Sequence, residues 1–481
     1  MKVLFCVSEA VPYAKTGGLA DVAGALPAAL RRKGVDVRVM MPRYRGVGRT
    51  GLEPVQQVHS VIGGTAIQGA VWMGTSSDGV PHYFLDQPSL FDREGLYGEG
   101  GRDYEDNLVR FAFFCQSALG LMHRTWTPDL AHCHDWHAAL VPAYLRAHRN
   151  PLATLFTVHN LAHQGIFPGE QFPLSCLPPE TFAPDGLEFY GNVNVMKAGL
   201  VYSHALSTVS ETYAGEIQTE EFGVGLDGLL RARSADLFGI LNGVDYALWD
   251  PSVDPHIAAR YDAGDLAGKA RCKAALQQEV GLPVQAYAPL IGTVARLASQ
   301  KGFDLVAAAL EAIVATGAQV VILGTGEPAF EEAFRAASAR FPQQLRAIIG
   351  FDEGLAHRIE AGADIFLMPS RFEPSGLNQL YSLRYGTPPL VRRTGGLADS
   401  IVDATPENLH LGSANGFVFD DYTTEALVAA VGRAVAAYRD PSVWRSLQQV
   451  GMRADFSWDR AAVRYLELYE GTVRRAAERA S

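Results

Sequence analysis

Short unbroken apolar runs alternate with longer stretches of helical spacing along most of this chain. Residues 3–7 form one such run, closed by Ser8 and Glu9, and they predict a strand buried on both faces. Residues 19–33 place apolar side chains at helical spacing and stop at Gly34, and residues 35–41 return to an apolar run. The chain therefore opens strand, loop, helix, strand. Runs at 129–134 and 153–158 predict further strands of the same kind, and 57–84 reads as short β-like stretches inserted within the first half. A seam falls at 237–245, where an apolar run ends in Asn242-Gly243. A second series follows, with strands predicted at 289–295, 319–323, 346–349, 364–368 and 389–391, and terminal helices at 444–478. Strands alternating with helices give an α/β fold of two doubly wound, Rossmann-like domains, each a mostly parallel sheet covered on both faces.

Against this background one repeat stands out. Thr-Gly-Gly-Leu-Ala-Asp occurs at Thr16 to Asp21, after Lys15, and again at Thr394 to Asp399, after Arg393. Paired glycines allow close backbone approach, and the N–H groups of a helix start attract anions. Each half is thus expected to present an anion-friendly loop at the carboxyl ends of its strands.

Composition narrows the function classes. The chain has 481 residues, 48% hydrophobic and 19% charged, which suits two or three globular domains. A net charge of −11 argues against a nucleic-acid surface. The five cysteines are scattered and form no Cys-x-x-Cys pair, as in a reducing compartment. Residues 3–7 are too short for an export signal and no run approaches a membrane span, so a cytoplasmic protein without membrane contact is expected.

Several clusters could carry chemistry. Gly324-Thr-Gly326 follows a predicted strand, but Ala329 stands where a dinucleotide fingerprint has its third glycine, so a tight strand-to-helix turn is the simpler reading. His132, His134 and His137 suggest a metal at first sight, but no second ligand cluster accompanies them, and a hydrogen-bonded polar strand end is expected. Arg296 and Lys301 lie at a strand's carboxyl end and can reach one phosphate group from two sides. Glu373 lies in Arg371-Phe-Glu-Pro-Ser-Gly376, where Ser375-Gly376 can start the next helix and its carboxylate can hold a sugar hydroxyl or stabilise positive charge.

Together these residues resemble bacterial glycogen synthases and plant starch synthases, retaining glucosyltransferases of the GT-B fold. The resemblance is carried by Lys15-Thr-Gly-Gly-Leu19, His134-Asp-Trp-His137, Thr157-Val-His-Asn160, Leu241-Asn-Gly-Val-Asp245, Arg296 with Lys301, Arg371 to Gly376, and Arg393-Thr-Gly-Gly-Leu397. It implies transfer of glucose from ADP-glucose to the non-reducing 4-hydroxyl of an α-1,4-glucan, across a deep cleft between the domains, with no cofactor and no metal. It implies that Arg296 and Lys301 bind the diphosphate, that Glu373 contacts the transferred glucose and that His159 lies beside the sugar. Lys15, Gly18 and Asp21 belong to the nucleotide-sugar loop, Asp135 and Asn242 lie nearby, and Ser375, Gly376, Leu377, Thr394 and Gly395 complete the donor side. Glu9 and Tyr97 match positions on the acceptor side. The implied domains are 1–242 on the acceptor side, 243–455 for the nucleotide sugar, and 456–481 as a helix crossing back to the first. Two positions depart from patterns in related transferases. Tyr381 stands where many GT-B relatives carry a second glutamate, which favours the glycogen and starch synthase branch, and Ser375 replaces a common cysteine.

The chain contains no Asp-x-Asp pair, so cations and helix-start N–H groups are the expected partners of the leaving diphosphate. No second carboxylate is evident as a nucleophile, which points to same-face substitution with the departing phosphate taking the acceptor proton. A UDP-glucose-using synthase, a non-catalytic glucan-binding protein, a pyridoxal-dependent glucan phosphorylase and a dinucleotide oxidoreductase are the alternatives.

Overall fold

The computed structural model describes residues 1–480, which divide into two compact units. The first holds Met1–Gly243 together with the last helix, and the second holds Val244–Ser457.

The first unit is built on nine strands: β1 (Lys2–Cys6), β2 (Asp36–Pro42), β3 (Glu53–Ile62), β4 (Thr65–Thr75), β5 (Pro81–Asp86), β6 (Leu130–His134), β7 (Ala153–Val158), β8 (Ala205–Thr208) and β9 (Leu237–Gly239). Their order across the sheet is β9-β8-β7-β6-β1-β2-β5-β4-β3. β1 runs parallel to both neighbours, so that Cys6 lies opposite Met40 on one side and Cys133 on the other. Val3, Leu4, Phe5 and Cys6 are fully buried, which explains why the strand reads as an uninterrupted apolar run.

The stretch predicted as an insertion is instead part of this sheet. β5 is parallel to β2, and β4 and β3 add to it antiparallel as a sheet edge. β3 and β4 are mostly half-buried or exposed, with only Val58, Ile62 and Val71 buried, which is why they looked foreign to the continuous apolar runs of the parallel strands. Helix α1 (Gly18–Arg32) follows β1 and buries Val22, Leu26 and Leu30. Helix α2 (Asn107–Arg124), which patterning had not delimited, buries most of its length, including all of Arg110.

In the second unit six strands are all parallel: β10 (Leu290–Val294), β11 (Gln319–Gly324), β12 (Leu345–Ile349), β13 (Ile365–Met368), β14 (Pro389–Arg392) and β15 (Phe417–Phe419). The order β12-β11-β10-β13-β14-β15 places a topological switch point between β10 and β13. In the first unit the corresponding point lies between β1 and β6. Short helices α3 (Asn378–Arg384) and α4 (Gly395–Ser400) follow β13 and β14.

The closing helix α5 (Trp458–Ala480) packs on α1 and β7 of the first unit and buries Trp458, Tyr465 and Tyr469 there. No helix among the described residues is long and apolar enough to cross a membrane.

Candidate active site

Ligands of doubly wound sheets bind outside the carboxyl ends of the strands at the switch point. In the second unit, the loops that leave β10 and β13 flank that point. The first carries Arg296 and Lys301, and the second carries Glu373. Lys301 Nζ donates to Glu373 Oε2 at 2.6 Å, and Ser370 Oγ donates to the same oxygen at 3.0 Å. Glu373 is buried, while Lys301 is a quarter exposed and Arg296 lies open, donating to Gln300 Oε1 at 3.3 Å. A carboxylate fixed through one oxygen by Lys301, with Arg296 on the same loop as that lysine, suits a ligand that carries both hydroxyls and phosphate.

The helix expected to start at Ser375-Gly376 begins later, at Asn378. Gly376 lies at φ 66, outside the right-handed helical region, and Ser375, Gly376 and Leu377 lie in the loop before α3. Gln379 Nε2 donates to the carbonyl of Ser375 at 2.9 Å and of Gly376 at 3.2 Å, fixing that loop from beneath.

The two Thr-Gly-Gly-Leu-Ala-Asp segments both open helices, but they do different work. Thr16, Gly17 and Gly18 are exposed at the start of α1, and Lys15 Nζ lies 2.7 Å from Asp21 Oδ1. Thr394, Gly395 and Gly396 are buried against the Glu373 loop, with Gly396 N donating to the carbonyl of Glu373 at 3.1 Å. A Cβ on Gly395 would lie 2.0 Å from that carbonyl oxygen, and one on Gly396 the same distance from the carbonyl of Ser375. The second copy is therefore a backbone clamp on the Glu373 loop, not an exposed anion loop. Its cation, Arg393, is paired with Asp420 at 2.5 Å.

In the first unit Glu9, Asp135 and His159 follow β1, β6 and β7, three adjacent parallel strands. Glu9 accepts from the backbone N–H of Thr16 and from its hydroxyl at 2.8 Å, so the exposed glycine loop is tied to a buried acid. Burial pushes the Glu9 carboxyl up to about 7. Asp135 holds φ 53, an uncommon value for a residue with a side chain, and its Oδ1 accepts from His159 N at 2.8 Å. Burial, with a smaller addition from the Glu9 charge, pushes Asp135 up to about 7 as well. Burial lowers His159 to about 3, so its ring is neutral at physiological pH, and Nε2 lies 2.9 Å from Nδ1 of His134.

Tyr97 bonds Ser8 Oγ at 2.7 Å and stacks on His137 with ring centroids 4.5 Å apart. Asn242 is buried at the end of this unit, with Oδ1 lacking a hydrogen-bond partner among the described residues. The three histidines of the sequence cluster are buried. His132 bonds Tyr469 and Thr157, at 2.8 and 2.6 Å, and no group of three or more metal-ligating side chains is placed to hold an ion among the described residues. In the Gly324-Thr-Gly326 turn, the Glu331 carboxylate already accepts from the Thr325 hydroxyl and Gly326 N, at 2.6 and 3.0 Å.

Sequence reasoning missed Ser370, Thr16 and Arg110. Arg110 donates to the carbonyls of Leu90 and Leu96, at 2.6 and 3.0 Å, and so fixes the loop bearing Tyr97. Its position on one face of a helical apolar pattern was the available signal.

Comparisons with known proteins agree with this architecture. The family model described as starch synthase catalytic domain matches residues 2–232, and that described as glycosyl transferases group 1 matches residues 281–445. With two doubly wound sheets, these matches define a glycosyltransferase of the GT-B fold. Among curated relatives, a glycogen synthase of Anaeromyxobacter dehalogenans (strain 2CP-C) is 52% identical over 479 residues, 98% of this chain and 99% of that one. A glycogen synthase of Thioalkalivibrio sulfidiphilus is 48% identical, covering 98% of this chain and all of that one. The chain belongs to the glycogen synthase family. The solved catalytic domain of starch synthase IV from Arabidopsis thaliana, bound to ADP and acarbose, matches with TM-score 0.90 and 34% identity over 98% of this chain and 99% of that one. A sucrose-phosphate synthase from Thermosynechococcus elongatus, 17% identical, shares the fold with TM-score 0.62 over 98% of each chain.

Proposed function

We propose that this glycosyltransferase moves glucose from ADP-glucose to the 4-hydroxyl at the non-reducing end of an α-1,4-glucan, retaining the anomeric configuration and releasing ADP. The observation that carries this reading is the Lys301–Glu373 pair at the switch point of the second unit, with Arg296 on the loop that bears Lys301. The bond from the anomeric carbon to the β-phosphate oxygen breaks, the acceptor O4 bonds to the same face, and the O4 proton passes to the departing phosphate. Arg296 and Lys301 stabilise the charge that grows on that phosphate, and Glu373 faces the oxocarbenium-like sugar. In this reading Lys15, Gly18 and Asp21 serve the donor, while Glu9 and Tyr97 serve the acceptor. The scattered, unpaired cysteines suit a reaction in the cytoplasm.

The test is nucleotide release with glycogen and either ADP-glucose or UDP-glucose. Faster release of ADP supports the reading. Preference for UDP-glucose overturns the donor assignment, and no release with either donor overturns the enzyme. Trapping glucose covalently on a side chain would overturn the same-face step.

A further inference from the structure

We propose that His134 is a positioning residue that locks His159 in its Nδ1–H tautomer, so that His159 presents a hydrogen-bond donor to the sugar and cannot accept a proton there. The inference deepens the glucosyl-transfer reading and rests on it for the word sugar; the tautomer itself does not.

Hydrogen-bond accounting fixes the tautomer. His134 Nδ1 and His159 Nε2 are 2.9 Å apart, so one carries the proton and the other the lone pair. Both rings are neutral, since burial holds His159 at about 3 and His134 well below its ordinary value. A neutral ring has a single N–H. The other nitrogen of His134, Nε2, is buried and has no partner. Around that ring lie Phe5 and His132, with centroids 4.1 and 4.0 Å away, and both nitrogens of His132 are already bonded to Tyr469 and Thr157.

If His159 donated, the His134 proton would have to sit on the enclosed Nε2, where nothing can receive it. A buried N–H without an acceptor is among the costliest defects in a folded protein, and a spare lone pair against ring faces is milder. His134 therefore takes the Nδ1–H form and donates to His159 Nε2. The only N–H left to His159 is on Nδ1, which shows no hydrogen bond among the described residues, in a half-buried residue at the carboxyl end of β7. A group that donates at that atom cannot collect the acceptor proton, which leaves the departing phosphate to do so.

The test is a long-range 1H–15N correlation spectrum of the full chain labelled at histidine, at neutral pH. Signals are assigned by their disappearance in His159→Gln and in His134→Gln. The expected result is a protonated Nδ1 and a bare Nε2 for both residues, and a protonated Nε2 on His159 overturns the proposal. Kinetics give a second readout. His134→Leu is expected to lower kcat about tenfold with a smaller change in donor KM, and His134→Gln, whose amide can still donate, to recover most of it. A folded His134→Leu protein with unchanged kcat also overturns the proposal. If the leucine variant fails to fold, the spectrum of the unmodified protein still decides. Failure of ADP-glucose transfer would overturn the functional reading and leave the tautomer intact.

Discussion

Lys301 and Glu373 stand 72 residues apart in sequence and 2.6 Å apart in the fold, joined because the strands before them are neighbours at a switch point. Removing either partner should remove more than its own charge. Lys301→Ala and Glu373→Ala are each expected to lower turnover by about 10²–10³ while circular dichroism stays unchanged. Because the two act through one contact, the double variant should lose far less than the product of the single losses. Near-normal ADP release from both single variants would remove these residues from the site.

The two copies of the glycine hexapeptide differ in a way kinetics can read. Arg393 is spent on a solvent-exposed pair with Asp420, the kind of pair typically worth about 1 kcal/mol or less. Arg393→Ala should leave turnover within about twofold, whereas Lys15→Ala, at the exposed loop, should raise the donor KM by about tenfold. The reverse ranking would make the second copy the phosphate loop.

Gly395 offers a sharper test of the clamp. It combines φ 43 with the carbonyl of Glu373 where its side chain would be. Gly395→Ala should cost about 3 kcal/mol or more in urea unfolding and depress activity through the displaced Glu373. Gly412 is also left-handed, at φ 66, but has open space around it. Its alanine variant should cost only about 1 kcal/mol and leave activity alone. Equal behaviour of the two would mean that the clamp does not govern Glu373.

Glu9 and Asp135 make stability depend on pH with a sign opposite to that of salt-bridged acids. Their folded values of about 7 lie above those of the unfolded chain, near 4. Between these limits the folded protein keeps protons that the unfolded chain has released, so stability falls as pH rises from about 4 to 7 and levels off above. Glu9→Gln should raise the melting temperature at about pH 8, by at most about 3 kcal/mol of stability, and change little at about pH 4. A variant less stable than the parent at the higher pH would contradict the assignment.

The alternation of parallel strands and helices was legible because strands such as β1 and β11 are buried on both faces and leave continuous apolar runs. The antiparallel edge was misread for the complementary reason: β3 and β4 keep one face half exposed, and nothing in their own pattern says which sheet they join. Arg296, Lys301 and Glu373 were visible as charges at strand ends. Their pairing was not, because it depends on β13 lying beside β10, and so on strand order. The clamp of Gly395 on Glu373 has the same origin, since β14 is the other neighbour of β13. Ser370 and His134 owe their roles to hydrogen bonds that no spacing announces.

The chain enters and leaves the second unit side by side. Val244 N donates to the carbonyl of Phe456 at 2.7 Å, and Val244 pairs in parallel with Ser457. Just outside, Gly243 abuts the backbone of Trp458. The second unit is thus an insertion with adjoining ends, a cassette spliced into the first unit at a single port. Proteins accept insertions most readily where the two ends meet. A transplant of Val244–Ser457 from a relative joins the first unit at that one place. On the proposed function, donor preference is expected to travel with that module, with the first unit and its return helix left as they are.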